Sequence, residues 1–172
     1  MAATIQIHEL TTNADTGVDK TSSTVRFKAV ASTTSTTVDA NDPLVVPGAG
    51  TNYSYVKKLR AYMSAAPNTN ISNMRWYSDG SSGFGTGVAC TAKNLGTTFG
   101  THYNTAMSGG SSLFGYTSGS PLNGDGTDTG PFVPADNTTY IGDIIELQIS
   151  VASTASNGAL SAETLTLAWD EV

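Results

Sequence analysis

The sequence holds a single cysteine, Cys90, in 172 residues, which excludes an intrachain disulfide framework and any zinc site built on cysteines alone. It holds only eight Lys and Arg against fourteen Asp and Glu. The resulting net charge of -6 argues against sequence-independent nucleic-acid binding, which needs a dense basic footprint to displace counterions. Charged residues of both signs make up just 13% of the chain, and a surface so poor in charge is hard to keep dispersed as a free monomer. The composition therefore points to faces covered by neighbours or coated with hydroxyl and amide groups. No apolar run approaches the ~18 residues of a membrane-spanning helix, and the start Met1-Ala2-Ala3-Thr4-Ile5 lacks the basic and apolar regions of a secretory signal. The expectation is a product of the cytoplasm with no membrane partner.

What is present in abundance is Thr, Ser, Gly and Asn around short β-patterned stretches, in a length that suits one domain spanning 1–172. From Ile144 to Ser153, Ile145, Leu147, Ile149 and Val151 alternate with Glu146, Gln148 and Ser150, the period of a half-buried strand. Thr164 to Trp169 repeats the pattern with Leu165, Leu167 and Trp169 on one face, and the short connection predicts that the two are antiparallel neighbours. Thr4 to Leu10 and Thr24 to Val30 read as two more strands, the second with Val25, Phe27 and Ala29 inward and Arg26 and Lys28 outward. Tyr53 to Ala65 places Tyr55, Leu59, Ala61 and Met63 on one face and Lys58 and Arg60 on the other; helical spacing competes, but the flanking Gly48, Gly50 and Pro67 favour a strand. Ile71 to Ser78 and Thr86 to Ala92 complete a set of about eight.

From about 96 to 139 the pattern dissolves into Gly, Ser, Thr, Asn and Pro with scattered anchors such as Phe99, Tyr103, Phe114 and Tyr116. A structureless connection this long is unusual, so short strands are expected within it, held down by its own aromatics or by a partner surface. The whole reads as an all-β, single-domain antiparallel β-sandwich with long Gly/Ser/Thr-rich loops, a jelly roll being the candidate topology.

The chemistry-bearing residues read quietly. His8-Glu9-Leu10-Thr11-Thr12 has Thr12 where a zincin needs its second histidine, and His102 has no Cys or His near it. Cys90 falls in a strand, where a small buried thiol is common. Gly80 to Gly87 is followed by a strand instead of a helix and reads as a hairpin, not a phosphate cradle. Asn123 to Asp128 reads as a turn, since an EF-hand would need an acid where Pro134 stands. Among fourteen acids a pair suited to glycoside hydrolysis is conceivable, but nothing in the spacing selects one, so an enzyme acting on polysaccharide ranks lowest. The expectation is no catalytic residue, cofactor, metal or small-molecule substrate. Interface chemistry is better represented: Trp and Tyr are enriched at binding hot spots, and Lys57, Lys58 and Arg60 suit an acidic partner or, more plainly, a solvated strand face. The candidate interface residues are Lys57, Lys58, Arg60, Trp76, Tyr77, Phe84, Tyr103, Phe114 and Tyr116. Trp76 and Tyr77 point to opposite faces, so one of them belongs to the core, while Trp169, in phase with Leu165 and Leu167, reads as core.

Three stretches carry a resemblance. Tyr53-Ser54-Tyr55-Val56-Lys57-Lys58-Leu59-Arg60, the run Ile71-Ser72-Asn73-Met74-Arg75-Trp76-Tyr77-Ser78-Asp79-Gly80 with Gly85-Thr86-Gly87-Val88, and the ending Leu165-Thr166-Leu167-Ala168-Trp169-Asp170-Glu171 are similar to small virion proteins encoded among tailed-bacteriophage head and tail genes. The resemblance implies a structural role on the particle: a capsid decoration, or cement, protein on the virion surface that binds the major capsid protein and copies of itself as a homo-oligomer, a trimer being one arrangement. A tail or neck component, or an adhesin-like module binding a host glycan, is the alternative. It carries over no site motif.

Overall fold

Period-two alternation becomes strands at most of the expected places in a computed structural model that describes residues 2–10, 17–30, 42–67 and 69–171. Ten strands are present among these residues: β1 (Thr4–Leu10), β2 (Gly17–Asp19), β3 (Thr51–Tyr53), β4 (Lys57–Ala65), β5 (Ile71–Tyr77), β6 (Val88–Asn94), β7 (Ser111–Ser112), β8 (Leu122–Asn123), β9 (Tyr140–Ala152) and β10 (Thr166–Glu171). The larger sheet runs β2-β1-β4-β9-β6-β7, with β3 also paired to β9; the smaller runs β10-β5-β8. Every pairing between named strands is antiparallel. The chain is thus an all-β antiparallel sandwich. Its seven-plus-three division departs from the eight-stranded, two-Greek-key plan of a jelly roll.

The apolar sides of the two sheets meet in two clusters. Leu59, Cys90, Ala92, Ile145, Leu147, Ile149 and Val151 of the large sheet close on Trp76 of β5, while Ile5, Ala61, Met63 and Ile141 close on Ile71 and Met74 of the same strand. Both clusters need β5 to turn Ile71, Met74 and Trp76 inward, which strict alternation forbids. Asn73 resolves the conflict: it takes φ 55, the left-handed region that Asn tolerates, and makes a bulge that shifts the β5–β10 register by one. Its side-chain amide donates to Asp170 Oδ2 at 2.7 Å.

Six expectations are corrected. β9 and β10 are not neighbours, because β9 has both edges occupied by β4 and β6; β10 pairs with β5 in the other sheet. Trp169 accordingly is half-buried against the second cluster. Residues 24–30 are not a strand: among the described residues their backbone bonds are isolated ones, Tyr55 N–H to Lys28 O at 3.0 Å and Ala29 N–H to Asp42 O at 3.1 Å. Val25 and Phe27 do pack inward, but Lys28, expected outside, is 4% exposed. Tyr53 to Ala65 is two strands, β3 and β4, broken at 54–56. The 80–87 segment is not a hairpin, since it joins β5 and β6 of different sheets. As expected, short strands lie within 96–139, namely β7 and β8.

β9 carries the sharpest irregularity. Leu59 faces Ile145 and Ala61 faces Ile141, so β9 spends two extra residues between them, and Gly142 takes φ +67 there. Freed backbone groups bond instead to the long connection: Asp143 N–H to Gly124 O at 2.7 Å and Ile144 N–H to Gly96 O at 2.8 Å. A Cβ at 142 would meet the Gly124 carbonyl oxygen at 2.6 Å and the Met74 sulfur at 2.8 Å. Gly142→Ala is therefore expected to lower the unfolding free energy by about 2 kcal/mol, from the strained φ and the backbone clash together, as read by urea denaturation.

Candidate functional site

A central strand alternates polar with apolar, so a sheet with one face in the core presents its polar residues on the other. Here that second face is also buried. Lys58 of β4, Glu146 of β9 and Lys93 of β6 stand directly opposite one another across three strands and form a row of alternating charge. Lys58 Nζ lies 3.9 Å from Glu146 Oε1, and Lys93 Nζ lies 3.1 Å from Oε2. Lys58 is 0% exposed and Glu146 1%. Charges removed from water this far require hydrogen bonds as well as each other.

The bonds come from residues 99–107, a strap laid across the row. Lys58 Nζ donates to the carbonyl oxygens of Gly100 at 2.9 Å and Thr101 at 3.0 Å, and also to that of Phe99, whose ring centroid it approaches to 4.3 Å. The Tyr103 hydroxyl donates to Glu146 Oε2 at 2.7 Å, and burial, with that carboxylate beside it, pushes the phenol well above its usual range. Beside the row, Gln148 donates to Thr105 O and to Ser54 O, each at 2.9 Å, and accepts from Met107 N–H at 2.9 Å. Desolvation lowers the Lys58 pKa, an effect that Glu146 opposes and Lys93 adds to.

The next stretch of the connection is pinned in the same way. Arg60, opposite the interruption in β9, donates Nε to Gly142 O at 2.8 Å and Nη2 to Asp128 Oδ2 at 2.9 Å. Buried Asp143 accepts from the Asn94 amide at 2.7 Å, from Thr127 N–H at 2.9 Å and from Asp128 N–H at 2.8 Å. Oxygens of 123–128 are engaged within the chain: Asn123 Oδ1 takes Asp125 N–H at 3.0 Å, and Asp125 Oδ2 takes the distant Met74 N–H at 3.0 Å. On the opposite face of the sheet, Glu9 receives Lys57 Nζ at 2.7 Å and has Lys20 Nζ 3.6 Å away, too far for a hydrogen bond. Desolvation lowers the Lys57 pKa against the pull of Glu9.

The candidate interface residues are thus dispersed. Lys57, Lys58 and Arg60 are not a solvated strand face: they are 4%, 0% and 9% exposed and committed within the chain. Trp76 is the core member of its pair, and Tyr77 is half-buried. The structure brings Lys58 and Tyr103 together at Glu146. It brings Phe84 and Phe114 together edge-to-face at 5.6 Å, with Tyr116 packed on the same core cluster. Sequence reasoning missed Glu146, Lys93, Gln148, Asp143 and Glu9. Alternation had placed Glu146 and Gln148 on a polar face, and the one signal for their burial was the long Gly-rich connection that had to lie somewhere.

The histidines are packed residues. His8 stacks on Tyr62 at 4.6 Å and bonds Tyr140 OH through Nδ1 at 3.1 Å; burial lowers its pKa, with Asp19 opposing. Where the smaller sheet ends, residues 20–27, 43–46 and 156–165 roof the apolar face, and a cavity of about 780 Å³ lies beneath, walled by Ile7, Leu59, Cys90, Leu147, Ile149 and Val151. Among the described residues, no group of three or more His, Cys, Asp or Glu converges as a metal site. No family model matches the chain, and no curated protein or solved structure shows significant similarity to it.

Lys58→Ala is expected to lower the unfolding free energy by on the order of 3 kcal/mol, because three carbonyls and Glu146 lose a buried partner, and to open 99–107 to limited proteolysis. Burial pushes the Cys90 thiol up to about 12, so an aqueous disulfide reagent at mildly alkaline pH is expected to leave it unmodified in the native protein and to titrate one thiol after denaturation.

Proposed function

We propose that this chain is a virion structural protein, a decoration protein that reinforces a bacteriophage capsid by binding the major capsid protein and copies of itself. One observation carries the reading: where the basic residues go. Lys20, Lys28, Lys57, Lys58 and Arg60 are buried, five of the eight in the chain. Of the twelve acids among the described residues, Glu9, Asp143 and Glu146 are buried. Among the described residues the outer shell keeps Arg26, Arg75 and Lys93 against nine acids, in a field of hydroxyl and amide side chains.

These charges stiffen the chain's own loops instead of converging on a reactive cleft. A preformed surface loses little conformational entropy when it docks, which suits a protein whose work is mechanical. A standard interface removes about 800 Å² per partner, roughly a tenth of the 8323 Å² exposed here, so several could be accommodated. The acidic bias calls for a basic footprint on the capsid, with salt-sensitive association. The glycan-binding alternative loses its strongest ring, since Trp76 is 1% exposed.

Purified protein is expected to run as an oligomer in light scattering and to load undecorated capsids to a fixed copy number, more slowly as salt rises from about 0.05 to 0.5 M. A monomer that ignores such capsids at every salt concentration, or that instead binds host-envelope glycans, refutes the reading.

A further inference from the structure

We propose that residues 99–107 form an acid-released strap with the His102 imidazole as its trigger: a proton on that ring frees the segment from the sheet. The proposal is independent of the capsid reading. His102 sits in the strap, its ring 5.3 Å from that of Phe99, and its Nδ1 is enclosed without a hydrogen-bond partner among the described residues. The groups around it are mostly cationic. Lys58 faces it from β4 and Glu146 from β9, Lys57 acts on it electrostatically from the other face of the sheet, and Lys93 of β6 and the Tyr103 hydroxyl engage the same carboxylate.

That carboxylate is already shared three ways, by Lys58 at 3.9 Å, Lys93 at 3.1 Å and the Tyr103 hydroxyl at 2.7 Å. A neutral imidazole fits this setting with one nitrogen bare. An imidazolium adds a further cation to a row holding one anion, and an N–H with nothing to receive it. Burial first, then Lys58 and Lys57, push the His102 pKa down from 6.5 to about 4, with Glu146 opposing.

The direction follows by linkage. Above pH 6.5 the ring is neutral whether the strap is open or closed. Between 6.5 and about 4 the open strap binds a proton that the closed strap excludes, so opening is favoured tenfold per pH unit; below about 4 the closed form protonates too and the gain stops. The ceiling is about 300-fold, and partial solvent exposure of the ring reduces it, so an effect of at least about tenfold is expected. Opening would uncover Lys58 and Glu146, converting a sealed face into a charged one.

Hydrogen exchange on the full chain tests this. The Met107 amide, bonded to Gln148 at 2.9 Å, should lose protection at least about tenfold between pH 7 and 4.5 while β9 amides keep theirs. His102→Phe should abolish that loss, and Glu146→Gln, which still accepts from Tyr103, should retain it. Flat strap protection in the wild type, or an equal loss in His102→Phe, overturns the proposal. Should either variant fail to fold, the wild-type imidazole resonances decide: a His102 midpoint below 5 that tracks strap opening supports it, and a midpoint near 6.5 or one that does not track opening overturns it.

Discussion

The fold depends on burying Glu146 between two lysines. A strand in the middle of a sheet, covered on both faces, has to place its alternate residues somewhere dry, and in β9 those residues include Glu146 and Gln148. An isolated carboxylate there would be untenable. Lys58 and Lys93, brought opposite it by the register of β4 and β6, make it tenable, and the strap's carbonyls make Lys58 tenable in turn. Each member is costly alone, so the row stays dry and fully bonded only while the strap lies across it. An apolar row of similar volume could be equally stable, but it would accept a loop in many registers; three carbonyls on one ammonium and one phenol on one carboxylate accept it in one.

This interdependence explains which parts of the molecule could be read in advance. β1, β4, β5, β6 and β9 announce themselves by local alternation, a property that survives without knowledge of partners. Pairing is not local. Nothing between Ala152 and Thr166 says that β9 already has neighbours on both edges, so the short connection suggested a hairpin that the finished sheet has no room for. The bulges at Asn73 and Gly142 are equally non-local in purpose, although each sits on a residue type suited to positive φ. Alternation likewise put Lys58 and Arg60 on one face of β4 and Glu146 on the polar face of β9. It could not give their burial, because what covers them lies at least some forty residues from Lys58 in sequence and shows no periodicity of its own.

The same geometry alters what a basic cluster means. Lys57, Lys58 and Arg60 look in sequence like an invitation to an acidic partner, yet they bond inward to Glu9, to strap carbonyls, to Glu146, to Gly142 and to Asp128. Their withdrawal, with that of Lys20 and Lys28, leaves three basic residues against nine acids on the exterior among the described residues.

A charge-poor sequence and a charge-dense interior are consequently two sides of one arrangement. With few charged residues available, committing most of the basic ones to the interior leaves hydroxyls, amides and a minority of acids to meet solvent. Such a surface is slow to rearrange, because the long connection beneath it is fastened at Lys58, Glu146, Gln148, Arg60 and Asp143 instead of being free to sample alternatives. The polarity of the core and the docking behaviour of the exterior are set by the same residues, so a change that loosens the strap would alter the outer surface before it melts the sheet.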